Sequence, residues 1–506
     1  MPLPIVNSIA SWFLKKRIHQ IELFLKYPVD VQEELLKSLL SKAKNTEIGK
    51  TYDFSSIKNY ADFAERIPVR NYEEIEHFIQ RSQKGEENIF WPTHIKWFAK
   101  SSGTTTSKSK FIPVSEESLE DCHYAASKDL LCLYLNNNPD SQLFMGKGLR
   151  IGGSKELYEE NGTVFGDLSA ILIDNMPFWA QFSSTPSNEI SLMSDWETKM
   201  QAIVNATIEE NVTSLAGVPS WVLVLLNNVL ETTGKKHLLE IWPNLEVYFH
   251  GGVSFDPYFE QYKKILPSEH IKYYEIYNAS EGFFAIQDRN DSKDLLLMLD
   301  YGIFYEFIPM NTYGSPNQKV IPLGEVEIGV NYAIVITTNA GLWRYRIGDT
   351  VRFTSTNPYR IRVTGRTKHH INVFGEELII ENAESALMEA SKTTGCEIVD
   401  YTAAPIFMEG KIKGSHEWMI EFKNPPASIE EFATCLDHCL QNVNSDYEAK
   451  RFNNTTLNFP KVHMAKNQLF YSWLKEKNKL GGQHKVPRLS NTREHIEELL
   501  KINNSL

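Results

Sequence analysis

Residues 101 to 115, SSGTTTSKSKFIPVS, bring clustered hydroxyls, a glycine and two lysines into one short run. Ser101, Ser102, Gly103, Thr104, Thr105 and Thr106 can turn backbone amides and hydroxyls toward oxyanions, and Lys108 or Lys110 adds positive charge. The chemistry this favours is the cradling of phosphate. The run is not a P-loop, because Ser107 stands where that motif needs a glycine before its lysine. Taken alone, the same composition also describes a solvated surface loop.

Three later stretches carry compatible chemistry. YNASEG, residues 277 to 282, offers a ring at Tyr277 for stacking on a base, a hydroxyl at Ser280 for a phosphate and a carboxylate at Glu281 for Mg²⁺. In LWRYRIGDTVRF, Asp349 follows Gly348 at a strand end and can accept from ribose hydroxyls; a solvated turn aspartate is the ordinary alternative. In VTGRTKHHINVFGEEL, Arg366 is a candidate for phosphate or ribose contact, and a charged connector is its bland counterpart.

These residues need elements to position them. Helical periodicity over residues 8 to 45, broken at Pro28, predicts two packed helices, and residues 72 to 84 predict another. The opening run is then read as a strand, a loop and a helix from Glu116 through Leu135 whose N-terminus faces the loop and favours an anion there. Helical segments at 195 to 210 and 219 to 233 alternate with the apolar runs VTSLAGVP, LEVYFHGG and IKYYEIYNASEG, which predicts an α/β architecture with largely parallel strands. From 283 to 353 the pattern turns β-rich, as in an antiparallel sheet or distorted barrel. Beyond Thr367 the order helix, strands, helix, strand, helix makes a smaller α+β unit. The fold class expected is α/β: a large N-terminal domain, residues 1–366, of α/β subdomains plus a barrel-like subdomain, and a smaller mobile α+β C-terminal domain, residues 367–506.

Composition narrows the function classes. The chain has 506 residues, 42% of them hydrophobic, enough for large cores and two to four domains or subdomains. Its net charge of -12 implies no broad cationic face for nucleic acid or anionic lipid. The apolar stretch at the start precedes its lysines and arginines, the reverse of a secretory signal, and no later run is long enough to span a bilayer. Cys122, Cys132, Cys396, Cys435 and Cys439 form no CxxC pair and fit reduced thiols. A cytoplasmic, monomeric protein is expected.

Considered in order, SSGTTTSKSK, YNASEG, YRIGD and GRTKHHINVFGEEL resemble the adenylate-forming superfamily of acyl and aryl ligases. Within it the chain is similar to the auxin-responsive acyl acid amido synthetase family, a likeness resting on SSGTTTSKSKFIPVS, YNASEG and the closing HKVPRL. The resemblance spans about 400 residues from Ser101 onward and implies a nucleotide site. Ser101, Ser102, Gly103, Thr104 and Thr105 match its phosphate loop, and Gly251 and Gly252 match the backbone beside adenine. Tyr277, Ser280 and Glu281 match the adenine-stacking, α-phosphate and magnesium positions. Asp349 matches the ribose-binding carboxylate, Arg366 the hinge arginine, and Lys485 the mobile lysine of the small domain. Lys368 stands where many superfamily members carry aspartate.

The implied cofactors are ATP and Mg²⁺. The implied partners are a small carboxylic acid and an amino acid or other amine. A carboxylate is a poor electrophile, so its attack on the α-phosphate of ATP, with pyrophosphate leaving, makes an acyl-adenylate that an amine can open. Charge grows on the phosphoryl oxygens in that step, so preorganised donors, Mg²⁺ and a lysine stabilise the transition state more than the ground state. Two alternatives stay open: a ligase that passes the acyl group to coenzyme A or another thiol, and a non-catalytic nucleotide-binding regulator on the same scaffold.

Other signals are set aside. GKGLRIGG, residues 146 to 153, misplaces the third glycine of a dinucleotide fingerprint and is read as a strand-flanking loop. His369 and His370 lack a third ligand at metal spacing. Trp343 is read as core, and core packing is favoured over an acyl pocket for Phe178, Trp179, Phe182 and Trp221.

Overall fold

The computed structural model describes residues 17–101, 110–151, 157–193, 195–252, 255, 258–367, 370–376, 378–409, 413–452, 456–476 and 487–505. Ser102, Gly103, Thr104, Thr105, Lys368, His369 and Lys485 lie outside these residues, as does any statement about their placement.

Pro28 occupies the first turn of the helix Pro28–Ala43, where its missing N–H costs nothing and its fixed φ suits the helix. It therefore separates that helix from Ile18–Lys26, as its position in the sequence predicts. The helices Trp196–Thr207 and Pro219–Thr233 alternate with the strands Val212–Gly217, Val247–Gly251 and Lys272–Ala279. These strands pair in parallel with one another and with Lys147–Arg150.

The β-rich segment does not stand apart from them. One sheet of described strands runs from Ile321–Pro322 through Ile303–Pro309, Asn331–Thr338, Tyr345–Thr356, Tyr359–Arg366, Leu295–Leu297 and Gly282–Gln287, and continues into the parallel half. The change from antiparallel to parallel pairing falls at Lys272–Ala279. This strand pairs antiparallel with Gly282–Gln287 and parallel with Val247–Gly251. Ala279 faces Gly282 across that hairpin, so Ser280 and Glu281 are its two-residue tip. In parallel α/β sheets the crevice for ligands lies beyond the carboxyl ends of the strands. Here those ends are Arg150, Gly217, Gly251 and Ala279, and all four line one cavity.

The opening run differs from its sequence reading. Ser101 and Lys110 pair at the mouth of an antiparallel hairpin formed by Trp97–Ser101 and Lys110–Val114, with residues 102 to 109 joining them. The second strand is interposed between the loop and the helical run that starts at Glu116. Val114 lies opposite Trp97, at the far end of the hairpin, and five extended residues span ~17 Å. The helix therefore begins at the opposite end of the hairpin from Ser101 and Lys110. Its amides are served locally: Ser115 Oγ accepts from Ser118 N–H at 2.9 Å and donates to Asn339 C=O at 2.8 Å. Ser115→Ala is expected to cost about 1–2 kcal/mol, read as a lower urea midpoint at unchanged slope. The helical run also contains a π segment, Leu119–Tyr124, before Ala125–Asn137.

The C-terminal residues form a three-stranded sheet, Glu397–Ile406, Ser415–Asn424 and Lys461–Ala465. Alternation along Ser415–Asn424 sorts its two faces. Trp418 and Ile420 join the cluster holding Phe432 and Leu436 of the helix Ile429–Val443. Met419 joins Leu469, Phe470, Trp473 and Leu499 of the last two helices. The packing is continuous with the large sheet: one buried cluster holds Tyr248, Phe255, Tyr258 and Tyr262 together with Ile371, Val373 and Phe374. Tyr258 donates its hydroxyl to Val373 C=O at 3.0 Å across the same contact. Trp343 is core, its ring tilted against Phe54 at 4.5 Å and its indole N–H donated to Phe90 C=O at 3.0 Å.

Candidate active site

Two adjoining cavities open at the Ser280–Glu281 hairpin tip, with volumes of about 1240 and 990 Å³. Ser280, Gly252, Asn278 and Lys100 line both, so the two spaces meet at Ser280.

The larger cavity gathers Ser101, Gly252, Tyr277, Ser280, Glu281, Asp349 and Arg366 from five separate stretches of chain. Asp349 and Arg366 sit opposite each other on the paired strands Tyr345–Thr356 and Tyr359–Arg366. That register closes an ion pair, Arg366 Nε donating to Asp349 Oδ1 at 2.9 Å. Tyr277 donates its hydroxyl to the other oxygen, Oδ2, at 2.7 Å. Tyr277 is 7% exposed, and burial together with the adjacent Asp349 carboxylate holds its phenol well above its ordinary pKa. It therefore remains a donor, which fixes Asp349 as an acceptor. Gly348 precedes Asp349 with φ +91°, a left-handed conformation that a side chain would strain, and its carbonyl accepts from Thr367 N–H at 2.7 Å.

At Glu281, burial pushes the carboxyl up to about 7, opposed chiefly by the positive charge of Lys110. The charges of that cluster act on it more weakly, Asp349 raising the carboxyl and Arg366 lowering it. Its side chain still reaches the cavity, so protein surrounds it without sealing it off. Lys110 lies over the ring of Tyr72 at 5.5 Å. Lys110 is thus placed to act on Glu281; Lys108, the other lysine weighed from the sequence, lies outside the described residues.

Gly251 and Gly252 end the strand Val247–Gly251. A Cβ on Gly251 would fall 2.5 Å from Ile276 C=O of the neighbouring strand, so only glycine allows this close pairing. Gly252 has φ +82° and exposes its backbone to both cavities.

The smaller cavity has apolar walls that include Leu131, Phe144, Leu172 and Phe249. Of the four aromatics assigned to core, Trp221 lines this space, with Lys450 4.3 Å over its ring, and Phe182 is exposed; the side chains of Phe178 and Trp179 are not among those described. The π segment presents His123 and Tyr124 here. Burial lowers the His123 imidazole to about 4, so it is neutral near pH 7. Arg150 also lines the cavity, from the GKGLRIGG segment. Sequence reasoning missed His123, Tyr124 and Arg150. No local pattern marks them, because they meet only when the helix and the strand Lys147–Arg150 are packed.

A parallel sheet with its cavities at the carboxyl ends, continuous with an antiparallel half and followed by a small α+β unit, is an architecture shared with solved ligases. The GH3.15 acyl acid amido synthetase superposes with a TM-score of 0.59 at 18% identity, covering 94% of this chain and 93% of that one. A 2-hydroxyisobutyryl-CoA ligase, solved with 2-HIB-AMP and CoA in the thioesterification state, superposes with a TM-score of 0.57 at 14% identity, covering 93% and 91%. In sequence, the indole-3-acetic acid-amido synthetase GH3.4 of Arabidopsis thaliana is 24% identical, over 94% of this chain and 91% of that protein. Residues 17–271 match the GH3 family N-terminal domain, 296–366 the GH3 family central domain and 381–494 the GH3 family C-terminal domain. The chain belongs to the GH3 family. No helix among the described residues is long and apolar enough to cross a membrane.

Proposed function

We propose that the protein is an ATP-dependent, AMP-forming ligase that activates a carboxylic acid as its acyl-adenylate and transfers the acyl group to an amine, with an amino acid as the acceptor of choice. The observation that carries this reading is the junction of the two cavities at Ser280: a space of mixed lining that gathers Tyr277, Asp349 and Arg366 on one side, and a largely apolar space of acyl size on the other. Family membership and the named amido synthetase relative support the amide-forming step.

In this reading Ser101 and residues 102 to 105 hold the β- and γ-phosphates, and Gly251, Gly252 and Tyr277 face the adenine. Asp349 holds the ribose, with Arg366 keeping its carboxylate in place at the end of the large domain. The acid's oxygen attacks the α-phosphorus beside Ser280, and the phosphoanhydride bond breaks to release pyrophosphate. Lys485, carried by residues 367–506, stabilises the charge that grows there. The amine nitrogen then attacks the acyl carbon, losing a proton as AMP leaves.

Glu281 fits a magnesium ligand. A carboxyl held near 7 by burial gains most from a cation placed against it, since the cation restores the charged form. Among the described residues no group of three or more His, Cys, Asp or Glu side chains converges on a metal site. Mg²⁺ at Glu281 would therefore complete its shell with phosphate oxygens and water, as this ion commonly does. When bound it neutralises charge on the phosphates.

The test is exchange of labelled pyrophosphate into ATP with a panel of aromatic, indolic and fatty acids and no amine. Acid-dependent exchange is expected; folded protein that exchanges with none of them overturns the reading. Mass spectrometry with pooled amino acids, and separately with coenzyme A, then decides the acceptor. A thioester in place of an amide overturns the transfer step and leaves adenylation standing.

A further inference from the structure

The buried arginines of this protein mostly come with carboxylates. Arg344 pairs with Glu306 through Nε and Nη2, and Arg451 pairs with Asp437 in the same two-pronged manner. Arg17 and Arg360 are likewise held, by Asp129 and Asp288. This is the expected arrangement, because an unpaired buried charge is costly.

Arg150 departs from it. One of its terminal nitrogens donates to Asn188 Oδ1 at 2.7 Å and the other lies against Met176 Sδ, both neutral partners. Its Nε is buried and has no partner among the described residues. No carboxylate is paired with it there. Desolvation lowers its pKa to about 10, opposed only by the phenol of Tyr124, so it keeps its charge at neutral pH. The guanidinium lies at the carboxyl end of its parallel strand, in the wall of the acyl-sized cavity. Among the described residues the fold thus maintains a desolvated, forked cation in the wall of a largely apolar space and pairs no anion with it, although Lys100, Lys128, Asp167, Asp446 and Lys450 line the same space.

We propose that Arg150 receives a second carboxylate carried by the acyl substrate, so that the acids this enzyme prefers are dicarboxylates. The assignment rests on the proposed ligase function, with the smaller cavity as the acid site. The apolar walls take the body of the acid, one carboxylate reaches Ser280 for activation, and the other meets the guanidinium as a charge-assisted pair. The other carboxylate a ligase of this kind handles is the α-carboxylate of an acceptor amino acid, and the experiment separates the two.

Pyrophosphate exchange without amine is measured for acids that differ by one carboxylate, hexanoate against adipate and benzoate against isophthalate. Wild type, Arg150→Gln and Arg150→Met are compared. Wild type is expected to favour the dicarboxylate, and that preference, read as the ratio of dicarboxylate to monocarboxylate exchange within each protein, is expected to fall ~10–100-fold in both variants. Melting temperature supplies an independent readout: removing an uncompensated charge should leave Arg150→Met no less stable than wild type, whereas a merely structural arginine would lower it. An unchanged dicarboxylate preference in both variants overturns the proposal. So does a loss confined to amide formation with glycine relative to glycinamide, which would hand the arginine to the acceptor. If wild type exchanges with no acid at all, the ligase reading fails separately. Calorimetric titration of adipate and isophthalate into wild type and Arg150→Gln then still decides the arginine, with equal binding overturning the assignment.

Discussion

Glu281→Gln is expected to lower acid-dependent pyrophosphate exchange ~10²–10³-fold while AMP binding stays within about threefold. The asymmetry follows from what the carboxylate is proposed to do. AMP carries one phosphate and no pyrophosphate to neutralise, so its affinity leans on Asp349 and the glycine backbone, whereas the adenylation transition state spreads charge that Mg²⁺ must meet. Glutamine keeps the size of the side chain and removes the charge. Equal losses in exchange and in AMP affinity would assign Glu281 a structural role.

The raised carboxyl also sets a pH dependence whose sign is fixed. A carboxyl lifted from 4.5 to about 7 by folding is held neutral in the native state. Its contribution to stability is therefore complete below pH ~4.5 and is lost as pH rises through about 7, where the buried group must ionise. In ligand-free protein, Glu281→Gln escapes that loss. Its melting temperature should exceed that of wild type at pH 8 by about 2–4 °C and approach it at pH 5. Exchange activity at subsaturating Mg²⁺ runs the other way: the wild-type rate should rise between pH 6 and 8 as free Glu281 ionises and can take the cation, and the variant should lack that limb. A variant no more stable at pH 8 than wild type would contradict the burial argument.

How much of this was legible in the sequence depended on whether the deciding contact was local. Helices such as Pro219–Thr233 and strands such as Val247–Gly251 follow from periodicity and from their own residues, and so does the boundary role of Pro28. The strand Lys110–Val114 was hidden by Pro113, which argues against a strand unless it lies at an edge, and this one does lie at the edge of its four-stranded sheet. Missing it put the helix directly after the loop, when a further strand intervenes and the helix starts at the other end of the hairpin from Ser101 and Lys110. The Asp349–Arg366 pair was named as two separate candidates, and only the strand register joins them. Arg150 was invisible for a plainer reason. Its neighbours Tyr124, Met176 and Asn188 come from distant segments, and the want of a counter-ion among the described residues is a property of the packed cavity.

Asp349→Ala is expected to raise the KM for ATP ~10²–10³-fold with little change in the KM for the acid. Ionised aspartate offers about four acceptor positions. Arg366 Nε takes one on Oδ1 and the Tyr277 hydroxyl takes one on Oδ2, leaving one on each oxygen for the two ribose hydroxyls. Alanine removes all four, leaving Arg366 without this carboxylate and Tyr277 without its acceptor. Asp349→Asn is the sharper probe. Its carbonyl can still accept from Arg366 and its amide can donate to the Tyr277 oxygen, so the internal contacts survive while one ribose acceptor is lost. The expected penalty is then about tenfold, the weight of a single hydrogen bond of ~1.4 kcal/mol. AMP affinity should fall in parallel in both Asp349 variants, the opposite of the Glu281 pattern, because the ribose is common to ATP and AMP. If both variants lose thermal stability and neither changes the affinity for ATP or AMP, Asp349 is a clamp between Tyr277 and Arg366 and the ribose has another partner.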